Sequence, residues 1–136
     1  MTQEDKNLLL IDLCARLPYG VKGIITYDKS NTTFTVEGID NNVLHLSDAE
    51  ECYVEDLKPR LRPMSSMTEE EKKEYESLCI LIPVNYDSDL SKYDYYTTDS
   101  IDSFDWLNAH HFDYRGLIEK GLALEAPEGM YNIKEK

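Results

Sequence analysis

Positive charge is scarce in this sequence: 14 lysines and arginines stand against 27 aspartates and glutamates, a formal net charge of −13 over 136 residues. That excess repels phosphate backbones and anionic membranes, which disfavours direct DNA binding and membrane-surface binding. Cysteine is sparse as well. Cys14, Cys52 and Cys79 form no C-x-x-C pair, so they offer neither a disulfide framework nor a zinc knuckle. They imply reduced, cytoplasmic surroundings, and each sits beside an apolar residue (Leu13, Val54, Leu78), as core cysteines do. Long apolar runs are missing, because Asp12 and Arg16 interrupt the most hydrophobic N-terminal stretch, residues 8–17. This excludes a transmembrane helix there and argues against a signal peptide. Phosphate-binding glycine loops, G-x-S-x-G and H-E-x-x-H are all absent, which removes the easily read enzyme classes. Internal repeats and low-complexity tracts are missing too.

What remains is the composition of one globular domain, with 41% hydrophobic and 30% charged residues. Thr2 and then Leu9, Leu10, Leu13, Cys14 and Leu17 predict a helix over residues 3–17, stopped by Pro18 and Gly20. The period then changes to two. Residues 21–27 and 33–39 alternate β-branched or aromatic with polar side chains around the turn at 28–31, a hairpin signal. Further short strands are predicted at 43–46 and 52–57, which together give a small antiparallel meander or partly closed barrel over 18–64. Pro59 and Pro63 each lack a backbone donor, so residues 58–63 read as an edge or a connecting arm.

Thr68 followed by Glu71 is a capping box, and it opens a helix in the stretch 68–82. Residues 83–102 read as an ordered acidic loop rich in tyrosine. The part from 103 to 133 reads as two short helices and a closing hairpin. Ser103 caps the first helix; Asp113 caps the second, with Phe112 and Leu117 as its staple and Gly121 with Leu122 as its Schellman end. The hairpin joins 122–126 to 130–133 through Pro127-Glu128-Gly129. The fold class is therefore α+β, in a single domain spanning 1–136.

Two stretches carry a resemblance. DWLNAHHFDYRGLIEKGLALEA at 105–126, together with LRPMSSMT at 61–68 and the acidic helix after it, resembles small proteins of unknown function from phage and mobile-element regions of anaerobic gut bacteria. It covers about a third of the chain. The resemblance implies an accessory role in a bacterial or phage cytoplasm and carries over no catalytic residue.

Three constellations have chemical content. His110, His111 and Asp113 are the one local cluster with three metal-ligand types, the basis for a hydrolase reading, but adjacent helical histidines point about 100° apart and cannot both reach one ion. Asp87-Ser88-Asp89 opens like a calcium loop and fails at Lys92 and Thr98, where glycine and a bidentate glutamate belong. The junction at 110–113 has the outline of a helix-turn-helix but few cations for DNA.

The acids Glu50, Glu51, Glu55, Asp56, Asp87, Asp89, Asp94, Asp99, Asp102 and Asp105 would make a nucleic-acid mimic if they converged on one face. Tyr86, Tyr93, Tyr95, Tyr96 and Trp106 are the candidate contacts for a protein partner, because flanked aromatics give large area at low entropic cost. The leading expectation is a non-catalytic accessory module that binds a protein, with no cofactor and no catalytic residue. The oligomeric state stays open.

Overall fold

Thr2 starts the first helix as the spacing predicts, its hydroxyl accepting from the Asp5 N–H, and α1 runs Gln3–Arg16. A 3-10 turn at Leu17–Tyr19 follows, and Gly20, at φ 71°, reverses the chain into the sheet. The computed structural model describes residues 1–83 and 95–131. Its main sheet contains β1 (Lys22–Ile25), β2 (Thr33–Asp40), β3 (Val43–Leu46), β4 (Glu51–Tyr53) and β5 (Leu57–Leu61). Then come α2 (Glu69–Leu78), β6 (Ile80–Pro83), β7 (Tyr95–Thr98), α3 (Ile101–Ala109) and β8 (Leu124–Glu125). Among the described residues no helix is long and apolar enough to cross a membrane.

The α+β class holds, and the sheet is open, not a barrel: its order is β4-β3-β2-β1-β5-β8, antiparallel except for the last pair, which is parallel. Period-two patterning explains which side chains go inward. Leu44 and Leu46 of β3 are buried while His45 between them pairs with Glu51 at 3.0 Å. Leu57 and Leu61 of β5 are both fully buried. With Leu9 and Leu13 of α1, Val21, Ile25, Phe34, Val36, Val54, Leu117 and Leu122, they form the main core. A second cluster of Trp106, Leu107 and Phe112, flanked by Met67, Tyr75, Leu78 and Tyr114, joins α2 to α3.

Several local expectations are corrected. Residues 58–61 form an interior strand, not an edge. The bond from Thr26 N–H to the Asp56 carbonyl (2.8 Å) sets the phase of the β1–β5 ladder, so Pro59, opposite Gly23, falls where no bond to β1 is needed. The helix read over 68–82 ends at Leu78, and β6 pairs antiparallel with β7 (Tyr95–Thr98), which lies where a loop was expected. Ser100, not Ser103, caps α3, its hydroxyl accepting from the Ser103 N–H.

No second C-terminal helix forms, because Gly116 at φ 76° breaks the segment. What survives of it is one turn, closed by Gly121 N–H to the Ile118 carbonyl and Leu122 N–H to the Leu117 carbonyl, the Schellman pattern without its helix. Finally, the expected closing hairpin is replaced. Leu124 and Glu125 pair with Arg60 and Leu61 of β5, and Met130 N–H only closes a turn on Pro127; residues 132–133 of that reading lie outside the described residues. Of the three cysteines, only Cys52 is buried; Cys14 is exposed and Cys79 intermediate.

Gly23 is required by the closeness of β5. A Cβ at this position would lie 2.6 Å from the Lys58 carbonyl oxygen and 2.9 Å from Pro59 Cα, both backbone atoms that cannot move aside alone. We expect Gly23→Ala to cost about 1–3 kcal/mol in urea denaturation, the usual range for overpacking. Gly38→Ala, whose Cβ would meet nothing closer than 3.8 Å, serves as the matched control and should shift the midpoint far less.

Candidate functional site

A groove of about 860 Å³ lies between two walls. One wall is the chain leaving β5: Arg62, Pro63, Ser65 and Ser66, then Thr68 and the first turns of α2. The other is the arm that follows β8, Glu125 to Gly129 with Tyr131, and His110 at the end of α3 closes one side. Nothing in local sequence joins these walls. They meet because β8 lies parallel beside β5.

Arg62 organises the floor. Its guanidinium makes a bidentate pair with Glu71 (2.8 and 2.7 Å) and lies 4.1 Å from the centre of the Phe112 ring. Its backbone is fixed from both directions, N–H to the His111 carbonyl and carbonyl from the Asp113 N–H, each 2.8 Å. Glu71 also accepts from the Thr68 N–H, completing the capping box that the sequence predicts. These bonds, led by Arg62, hold the Glu71 carboxyl down to about 2, well below its ordinary value.

The lining has a strong sign. Among the described residues Arg62 is the one guanidinium in the lining, and Glu71 already neutralises it, while Glu74, Glu125 and Glu128 lie on the two walls. Glu74, Glu125 and Glu128 are exposed. Glu74 accepts from the Trp106 indole N–H at 2.6 Å, which orients it without removing its charge. His110 Nδ1 lies 2.9 Å from the Trp106 carbonyl, an atom that can only accept, so the neutral ring keeps its proton on Nδ1.

Of the contact residues singled out from sequence, Trp106 is not part of the groove lining. Tyr86 and Tyr93 lie outside the described residues. Tyr95 and Tyr96 lie in β7, where their backbones pair with Pro83 and Ile82. Trp106 is 8% exposed: it stacks on His110 at 3.9 Å and packs on Phe112 and Tyr75, so its ring area is spent inside the protein and not on a partner.

The three possible metal ligands do not converge. His111 Nε2 is bonded to the Tyr19 carbonyl, and both Asp113 oxygens hold N–H groups, of Leu117 and Ile118, at 2.9 Å. Among the described residues no group of three or more His, Cys, Asp or Glu is placed to hold a metal ion.

The acids considered for mimicry belong to separate elements. Glu50, Glu51, Glu55 and Asp56 lie around β4 and the turn before β5, where Glu55 reaches Lys6 at 3.6 Å. Asp99, Asp102 and Asp105 lie at α3, and Asp99 accepts from Tyr75 and Ser103. Asp87, Asp89 and Asp94 lie outside the described residues. Among the described residues the groove brings together carboxylates of α2 and of the arm after β8, a set sequence reasoning missed. Glu70 and Glu71 are readable only as complements to a helix N-terminus, and Glu125 and Glu128 lie more than 50 residues further on. No family model, curated protein or solved structure matches the chain.

The depressed Glu71 carboxyl makes a signed prediction. A group whose folded pKa lies below its unfolded one contributes stability above the unfolded value, near 4.5, and loses it as pH falls towards 2. Glu71→Gln should therefore cost about 2–3 kcal/mol at pH 7, and the gap to wild type should close between pH 5 and pH 2. Denaturant midpoints measured across that range check it; a gap that stays constant would show that the Arg62 pair is not its source.

Proposed function

We propose that this protein is a non-catalytic binding module whose groove receives a basic segment of a partner protein. The observation that carries the reading is the lining: Glu74, Glu125 and Glu128, three exposed carboxylates besides the one paired with Arg62, on two walls around about 860 Å³ of open space. A lysine- or arginine-bearing segment fits this arrangement twice over. It matches the negative field, which steers association, and its long side chains reach both walls while their charged ends stay hydrated at the rim.

Two further points support a binding role over chemistry. His110 and His111 are tied to backbone carbonyls, and the hydroxyl of Ser103, fully buried, is already used by Asp99 and Ser100. The resemblance to accessory proteins of mobile elements implies an accessory role and carries over no catalytic residue, which suits a binding module.

A fluorescent decapeptide rich in lysine and arginine, titrated with the protein and followed by anisotropy, tests this. We expect saturable binding at low ionic strength that weakens steeply towards 0.5 M salt, where the screening length falls to about 4 Å. Glu125→Lys/Glu128→Lys, both at exposed positions, should weaken it at least tenfold. Glu37→Lys/Glu50→Lys changes the net charge equally outside the groove and should have little effect. Equal losses in the two double variants would reduce the interaction to net charge and overturn the reading.

A further inference from the structure

His111 is 1% exposed, and its backbone is held in the left-handed region at φ 60°. Its Nε2 lies 3.0 Å from the Tyr19 carbonyl oxygen, which can only accept, so in the neutral ring Nε2 carries the proton. Nδ1 is buried with no hydrogen-bond partner among the described residues. Across the ring face lies Tyr131, with centroids 3.9 Å apart and planes at 26°. The Tyr131 hydroxyl accepts from the Lys22 N–H (2.8 Å) and donates to the Arg60 carbonyl (2.7 Å). One side chain thus pins the C-terminal arm across β1 and β5 and seals His111 from water.

The surroundings of His111 oppose a second positive charge. From α1 come the Arg16 guanidinium and the Asp12 carboxylate, but Asp12 is already shared between Arg16 and Arg115. His110 adjoins it at the end of α3, and Arg60 of β5 acts on Tyr131. Burial first, with Arg16 adding to it, pushes the His111 ring down to about 4 from its ordinary 6.5. Burial also pushes the Tyr131 hydroxyl up to about 12, so it remains a donor.

The geometry points to a proton-linked latch, in which the arm of residues 124–131, with Tyr131, lifts off β1 and β5, water reaches His111, and proton uptake by His111 holds the arm open. Leu122 and Ala123 stay in the core and limit the movement to the residues beyond them. The direction follows from linkage. Between pH 6.5 and 4 the open form binds a proton that the closed form does not, so opening becomes more favourable as pH falls through that window and is indifferent to pH above it. Because the arm is one wall of the groove, acidification loosens the binding site. That consequence rests on the function proposed above; the latch itself does not, and its test uses no ligand.

Amide hydrogen exchange of the full chain at pH 7 and pH 5, corrected for intrinsic rates, reads the latch directly. The reporters are the Lys22 N–H, bonded to Tyr131, and the Ala126 N–H, bonded to the Leu61 carbonyl at 2.7 Å; Val36, bonded to the Val21 carbonyl, reports the sheet. From the two His111 values, Lys22 and Ala126 should lose protection by about twentyfold at pH 5, with Val36 unchanged. His111→Asn, a residue that tolerates positive φ, should abolish the pH dependence. Tyr131→Phe should lower protection of Lys22 at both pH values. Equal protection at pH 5 and 7, parallel loss at Val36, or an undiminished pH effect in His111→Asn would each overturn the latch.

Discussion

The arrangement depends on one buried ion pair. Asp12 and Arg16, a turn apart on α1, are both fully inaccessible, and Arg16 grips the Asp12 carboxylate through Nε and Nη2 at 2.8 and 3.0 Å. Such a pair adds little net stability, because desolvating two charges costs about as much as their attraction returns. Its value is directional. Arg16 also donates to the Phe112 carbonyl (2.6 Å), and Arg115 reaches back to Asp12 at 2.7 Å, so α1 is tied to a segment about 100 residues away. Removing Asp12 would leave the Arg16 charge bare in the core, which costs about 3–5 kcal/mol, whereas without Arg16 the Asp12 carboxylate still holds Arg115.

From that tie the groove follows. Once Phe112 is fixed, its ring supports the Arg62 guanidinium and its neighbours His111 and Asp113 hold the Arg62 backbone. Arg62 then sets Glu71 and the start of α2, while Asp113 holds the turn at 117–121 that feeds Leu122 into the core. The chain emerging from that turn pairs with the edge of β5 and runs parallel along it. The two walls are thus consequences of the same interior contacts, and the carboxylates on them are placed by the core beneath.

Much of this was legible in the sequence where the signal is local. Thr2, the capping box of Thr68 and Glu71, the strands at 33–40 and 43–46 and the Schellman end at Gly121 all appear as patterning and cap chemistry require. The missing C-terminal helix has a local cause, Gly116, but the other failures turn on a remote partner. Pro59 reads as an edge residue until its register against Gly23 is known. Leu124 reads as half of a hairpin because parallel pairing leaves no turn signature. Trp106 reads as a contact residue because its neighbours in sequence are acids, whereas its neighbours in space are Tyr75, His110 and Phe112. The groove could not be read at all, since its acids are split between α2 and the arm.

The scarcity of cations acquires a structural meaning here. The sequence has four arginines, and all four are used internally: Arg16 and Arg115 on Asp12, Arg62 on Glu71, and Arg60 on the Glu125 carbonyl at 3.3 Å. A planar guanidinium with several fixed donors suits that work, because it satisfies carboxylate and backbone oxygens together where a lysine would offer a single mobile point. Of these arginines only Arg62 lines the groove, and Glu71 already matches its charge. Among the described residues no lysine lines the groove, so the exposed Glu74, Glu125 and Glu128 set the sign of that surface.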